Sequence, residues 1–286
     1  MRISIIGLGL IGGSLGLALK QRHGQELELT GWARRQEVAL EAINKGAVDK
    51  VEPELAEAVR HSQLVFLCTP VRTIEGLLQA IAQHLPSDCV VTDTASTKHQ
   101  IMKWAENSLC PSHAFIGGHP MAGKETFGIE VAEADLFEGC TYCLTPAAWT
   151  TQNDIDRVVE VVNWLGAKPL FIEASEHDYL VAGISHLPIL LSAATVAITT
   201  NHPNWPLMSK LASTGYRDIT RLASGNPSIN IDIFHTNQEA ILHWIDELMN
   251  RLSRMREQIA ETDEGLKLTL SKVSDARQRW LETKHD

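Results

Sequence analysis

At 286 residues the chain has room for two domains, and 44% apolar with 21% charged residues is ordinary for a soluble globular enzyme. A formal charge of −10 argues against a general nucleic-acid or anionic-membrane surface, because both need a cationic face. An anionic ligand must then be met locally, by a few placed cations.

The first strand is expected over 2–6 (RISII), and Gly7-Leu8-Gly9-Leu10-Ile11-Gly12 follows it directly and opens a helix over 12–22. That context is what a dinucleotide fingerprint requires. Gly7 permits the tight turn, Gly9 lets backbone approach a pyrophosphate, and Gly12 lets helix pack closely on strand. The phosphates would rest on free N–H groups at the positive helix end, beside Leu10 and Ile11.

The second strand, 27–32, ends in Thr30-Gly31-Trp32 and runs on into Ala33-Arg34-Arg35. In NAD-preferring sites a carboxylate at this strand end bonds the ribose 2′-hydroxyl. Glu26 and Glu28 stand too early to reach it, and two guanidinium groups suit a 2′-phosphate instead. The cofactor expected is therefore NADP rather than NAD; the competing reading is two solvated arginines in a helix-entry loop.

A helix over 36–45 leads to a strand over 64–68, after which Thr69-Pro70 is placed by the topology at the ligand crevice. Next come a helix over 72–84 and a strand over 89–93 that ends in Thr92-Asp93-Thr94-Ala95-Ser96-Thr97-Lys98, entering a helix over 97–107. Ser96 is a candidate site residue with a plain rival role as helix N-cap, one that Thr94 or Thr97 could equally fill. The strand at 114–117 is followed by Gly117-Gly118-His119-Pro120-Met121-Ala122-Gly123, a glycine-framed loop presenting His119. A neutral imidazole there could take or hold a carbinol proton while hydride leaves.

Strands at 141–145 and 168–172 flank a helix over 153–165. Cys140 and Cys143 form a CxxC with no second Cys or His pair at finger-like spacing, so no metal site is expected. Five scattered cysteines point to a reducing, cytoplasmic setting. Beyond residue 173 the pattern turns helical. The apolar run 182–198 is short for a bilayer span and carries His186, Pro188 and Ser192, so it reads as buried protein, as does the glycine-rich run 3–19. In Ser213-Thr214-Gly215-Tyr216-Arg217-Asp218, Arg217 is either a carboxylate clamp or an ion pair with a neighbour such as Asp218, and Arg221 shares the ambiguity. Between Ile233 and Ile259, apolar residues at 241, 244, 245, 248, 252, 255 and 259 make one stripe on a long helix, to be covered by a second domain or subunit.

The fold expected is α/β: a Rossmann-type, doubly wound, mostly parallel sheet over 1–173, then an all-helical substrate and dimerisation domain over 174–286. The runs GLGLIGGSL, TDTASTK, GGHPMAG, SHLP and STGYRDITR, in this order over nearly the whole chain, resemble the prephenate/arogenate dehydrogenase family. The resemblance implies oxidative decarboxylation of a small cyclohexadienyl acid in tyrosine biosynthesis, while the uncovered helical stripe points to a homodimer. The resemblance also implies that His119 bonds the substrate C4 hydroxyl, Ser96 orients that histidine, and Arg217 binds the side-chain carboxylate.

Two departures bear on the substrate. Many prephenate-using members read His-Leu-Pro-His, whereas His186-Leu187-Pro188 is followed here by Ile189, which leaves arogenate, prephenate or both open. Lys124 stands where relatives often carry Thr or Ser and either meets the ring carboxylate or is solvated; His186 is a further candidate contact. No mutase or regulatory domain is expected. Rival readings are a Rossmann reductase of the β-hydroxyacid dehydrogenase type and a non-catalytic NADP sensor.

Overall fold

The computed structural model describes residues 1–24, 26–124, 126–261 and 264–283. Its eight strands are β1 (Arg2–Ile6), β2 (Glu28–Trp32), β3 (Lys50–Val51), β4 (Leu64–Leu67), β5 (Val90–Asp93), β6 (Ala114–Pro120), β7 (Thr141–Pro146) and β8 (Lys168–Phe171). The helices among them are α1 (Leu10–His23), α2 (Gln36–Asn44), α3 (Leu55–Val59), α4 (Ile74–Ile81), α5 (His99–Leu109) and α6 (Gln152–Trp164). After the last strand follow α7 (Ala174–Val181), α8 (Leu187–Thr200), α9 (Trp205–Leu211), α10 (Thr214–Thr220), α11 (Pro227–Thr236), α12 (Gln238–Ala260) and α13 (Gly265–Glu282).

The strands form one sheet in the order β3-β2-β1-β4-β5-β6-β7-β8, parallel throughout except where β6 meets β7. Strand alternation divides the apolar side chains between two faces. Ile3, Ile5, Leu64 and Phe66 pack with Leu15 and Leu19 of α1 and Val158 and Val162 of α6. Ile6, Val65 and Leu67 pack with Ile74 and Leu78 of α4 and Ile101 of α5. Each such fully buried side chain contributes roughly 1.5–3 kcal/mol of transfer free energy. The outcome is a helix-sheet-helix sandwich, and the sheet order reverses direction between β1 and β4. That reversal opens a crevice at the carboxyl ends of the two strands.

Three boundaries depart from the sequence expectation. β3 is only two residues long, too short to leave an apolar pattern. β6 continues to Pro120, so His119 lies within a strand rather than on a loop: Gly118 pairs with Leu144 and His119 with Cys143 on antiparallel β7. The long apolar stripe does not begin at Ile233, because Asn237 leaves helical geometry (φ −132°, ψ 37°) and separates α11 from α12.

The chain divides into two compact units, Met1–Gln238 and Glu239–Asp286. The first holds the sheet and the helices to α11; the second holds most of α12 and all of α13. Within the first, the run 182–198 is not buried as its composition suggests: a π-helical turn, Ala182–His186, leads into α8, where Ser192 is the buried residue, and Ile184 and Ile198 are exposed. By length and composition the helical run Ala174–Thr200 is also apolar enough to cross a bilayer.

Candidate active site

The glycine turn has the geometry its spacing implies. Gly7 sits at φ +102°, and a Cβ there would stand 2.7 Å from the Cys68 carbonyl oxygen. A Cβ on Gly12 would lie 1.9 Å from the Gly7 carbonyl, so the start of α1 can approach β1 only without one. Gly9, by contrast, faces open space, with nothing within 4 Å of a Cβ. It also caps α1 with no side-chain bond, and the first turn carries no acidic residue. Free N–H groups at an uncapped helix end beside open space fit a pyrophosphate.

Thr69 and Pro70, just past β4, join Gly9, Leu10 and Ile11 in lining a cavity of about 370 Å³ at the crevice. Cys68 lines it too, but burial pushes its thiol up to about 12, so it stays protonated. Arg34 and Arg35 lie exposed just past β2, and among the described residues no carboxylate engages either guanidinium.

A second cavity, of about 540 Å³, adjoins the first: Ser96, Gly123, Lys124, Thr126, Phe127, Ile229 and Ile233 line both. His119 lines this second cavity, with Arg221, Asn226 and Asn230. The imidazole is buried, and its Nδ1 lies 2.9 Å from Nε2 of His177. Burial, then the neighbouring His177, the Lys98 ammonium and His186, hold the His119 pKa well below the usual histidine range. It is a neutral base at physiological pH.

Behind His119 stands a polar cluster that sequence reasoning did not find. His177 Nδ1 is 2.8 Å from Asp178 Oδ1, and the Asp178 carboxylate accepts from the backbone N–H of Lys98 (2.7 Å) and of His99 (2.9 Å). That carboxylate, reaching from α7, caps α5; neither Ser96 nor Thr94 nor Thr97 does, and Thr97 bonds Thr236 instead. Asn237 donates to the Asp178 carbonyl at 2.7 Å. The Lys98 ammonium, wholly buried, pairs with Asp93 and donates to the Gly118 carbonyl at 2.6 Å, tying the end of β5 to β6 one residue before His119. Adjacent residues on a helix point in different directions, so the Glu-His-Asp sequence gave no reason to join His177 with Asp178 in one chain of bonds.

Other expectations are redirected. Ser96 shares the cavity with His119, but the hydrogen-bond partner of the imidazole is His177. Arg217 does not line the cavity: its side chain is exposed and paired with Asp218 at 3.2 Å, the plainer of its two sequence readings, while Arg221 reaches the wall. His186 is not in the lining either. It is buried behind it, with Nδ1 3.3 Å from the Asn237 amide nitrogen, because the π-helical turn directs Ser185 and Ile189 to the cavity and turns His186 inward. Lys124 lines both cavities and pairs with Glu133.

Comparison with known proteins agrees with this geometry. Residues 15–170 match the family model described as prephenate dehydrogenase, nucleotide-binding domain, and residues 173–272 match prephenate dehydrogenase, dimerization domain. A cyclohexadienyl dehydrogenase of Zymomonas mobilis is 31% identical over 99% of this chain and 97% of its own.

The chain belongs to the prephenate dehydrogenase family.

Two solved structures of the family superpose closely. A prephenate dehydrogenase of A. aeolicus, in complex with hydroxyphenyl propionate and NAD+, has a TM-score of 0.91 at 30% identity over 98% of both chains. An arogenate dehydrogenase of Synechocystis has a TM-score of 0.84 at 32% identity, covering 98% of this chain and all of that one. As a prephenate dehydrogenase family member, the protein is an NAD(P)-dependent oxidoreductase. The membership sets aside the β-hydroxyacid dehydrogenase and cofactor-sensor readings.

Proposed function

We propose that this enzyme oxidatively decarboxylates both prephenate and arogenate, with NADP as the preferred cofactor and His119 as the proton acceptor. The observation that carries the reading is the shared wall of the two cavities, which sets a neutral imidazole beside the space that the glycine turn offers to a dinucleotide.

A bound nicotinamide would take the hydride from ring carbon C4. His119 receives or holds the C4 hydroxyl proton as the C–H bond breaks. The electron pair of the bond to the departing carboxylate flows through the ring to the C4 oxygen, CO2 leaves, and the proton held on His119 returns to that oxygen as the phenol forms. Aromatisation drives the step, so the protein mainly positions the reacting groups. Ser96 stands on the shared wall, where its hydroxyl can meet the C4 oxygen.

Prephenate and arogenate share two carboxylates, and the cations that line the cavity are Lys124, which also pairs with Glu133, and Arg221. The acids differ in a keto group against an ammonium group. Among the lining residues, Ile189 and the neutral amides Asn226 and Asn230 carry no charge to tell the two apart, which supports use of both. For the cofactor, Arg34 and Arg35 supply paired charge to a 2′-phosphate, and residues 30–35, the end of β2 and the loop after it, carry no carboxylate. A second copy covering the helical apolar surface completes a cytoplasmic homodimer, with no metal, nucleic acid or membrane involved.

The test is an assay of reduced-cofactor formation with both acids and both cofactors. Turnover of both acids is expected, with the higher kcat/KM in NADP. Replacing Arg34 and Arg35 with Ala should erode NADP use and spare NAD; equal loss with both cofactors contradicts the 2′-phosphate assignment. Turnover of neither acid removes the proposed reaction.

A further inference from the structure

We propose that His177 and Asp178 are positioning residues that fix His119 in the tautomer with its hydrogen on Nδ1, which leaves the Nε2 lone pair for the substrate hydroxyl. This deepens the proposed reaction and rests on it.

The hydrogens available along the chain of bonds fix the direction of each one. A carboxylate only accepts, and Asp178 already takes two backbone N–H groups, one on each oxygen. His177 Nδ1, at 2.8 Å from Oδ1, must therefore donate. A neutral imidazole has one N–H, so Nε2 of His177 carries a lone pair. Nδ1 of His119, 2.9 Å from it, must donate in turn. The remaining ring nitrogen of His119, Nε2, is then bare, as a proton acceptor has to be.

Burial makes the order obligatory. His177 is fully buried and Asp178 nearly so, so neither can exchange these partners for water at low cost. Reversal would need a second proton on the His177 ring or a proton on the Asp178 carboxylate. Once Nε2 takes the hydroxyl proton, the His119 cation keeps its Nδ1–H bond to His177, and the Asp178 anion stands one ring further on to stabilise it. The roles differ from those of groups that touch substrate: His177 and Asp178 act only through His119.

Two-bond proton–nitrogen correlation spectra of the 15N-histidine-labelled enzyme near neutral pH read the tautomer directly, with His119 assigned from the His119→Asn variant. The expected result is hydrogen on Nδ1 and none on Nε2 for both His119 and His177. Hydrogen on Nε2 of His119, or a doubly protonated His177, overturns the proposal. Asp178→Asn gives a second readout: an amide can donate to His177 and reverse the order, so kcat should fall by roughly 10²-fold or more with KM within about threefold. Wild-type kcat in a folded Asp178→Asn enzyme also overturns it. Should that variant not fold, the spectra of the wild-type protein decide alone. If the wild-type enzyme turned over neither acid, the proposed reaction would fall while the tautomer result stood.

Discussion

His186 illustrates how burial, rather than a charged neighbour, sets the state of a side chain. It is 1% exposed, its Nε2 is buried without a hydrogen-bond partner among the described residues, and desolvation lowers its pKa to about 4 against the pull of Asp178. The ring is thus neutral in the folded protein and protonates near 6.5 once unfolded. A pKa depressed by folding means that the unfolded chain binds the extra proton first. Stability is complete above about pH 6.5 and is lost as pH falls toward 4, by about 3 kcal/mol from this residue in total. Urea unfolding at a series of pH values should show that decline, and His186→Asn should flatten it by about one proton's worth of slope. Parallel curves for the two proteins would contradict the account. The same residue shows a limit of sequence reading: a histidine beside Leu-Pro in a family motif looked like a substrate contact, and only the π-helical turn reveals that Ser185 and Ile189 face the cavity instead.

Elements were legible where a local pattern decides them. β1, β4 and β5 are short apolar runs bounded by turn residues, and the glycine spacing located α1 because Gly7 and Gly12 each answer a local steric demand. β6 was cut short because Gly-Gly-His-Pro has the composition of a loop; pairing with β7 overrides that preference. The helical half was legible as helix but not in its burial. Ile198, Leu207 and Leu211 are exposed on α8 and α9, more apolar surface than a monomer comfortably presents to water. Their covering by a second copy is the expected outcome, and sedimentation equilibrium should give twice the 31.6 kDa chain mass. Leu211→Glu, alone or with Ile198→Asp, should shift the protein toward monomer. A monomer in the wild type at micromolar concentration would remove the dimer, and association that requires detergent would favour a bilayer contact for Ala174–Thr200.

At the scale of the whole molecule, chemistry emerges from sheet order. Gly9, Thr69, Ser96 and His119 belong to four separate stretches of chain, yet each follows or ends a strand whose carboxyl end opens on the same side of the sheet. That convergence was readable from strand order and motif, since both are consequences of βαβ winding. The His119–His177–Asp178 chain was not, because it joins a sheet strand to a helix whose docking depends on tertiary packing. Nor was the choice between Arg217 and Arg221, for which the sequence offers the same two readings; Arg221 lines the cavity and Arg217 pairs with Asp218. On the proposed reaction, the imidazole at position 119 is the base of the cavity in which hydride is transferred. The most direct measurement is the initial rate of reduced-cofactor formation from prephenate by the wild type and by His119→Asn, at saturating cofactor. A fall in kcat of roughly 10²-fold or more, with cofactor affinity unchanged, is the expected result. Equal rates in the two proteins would contradict the account.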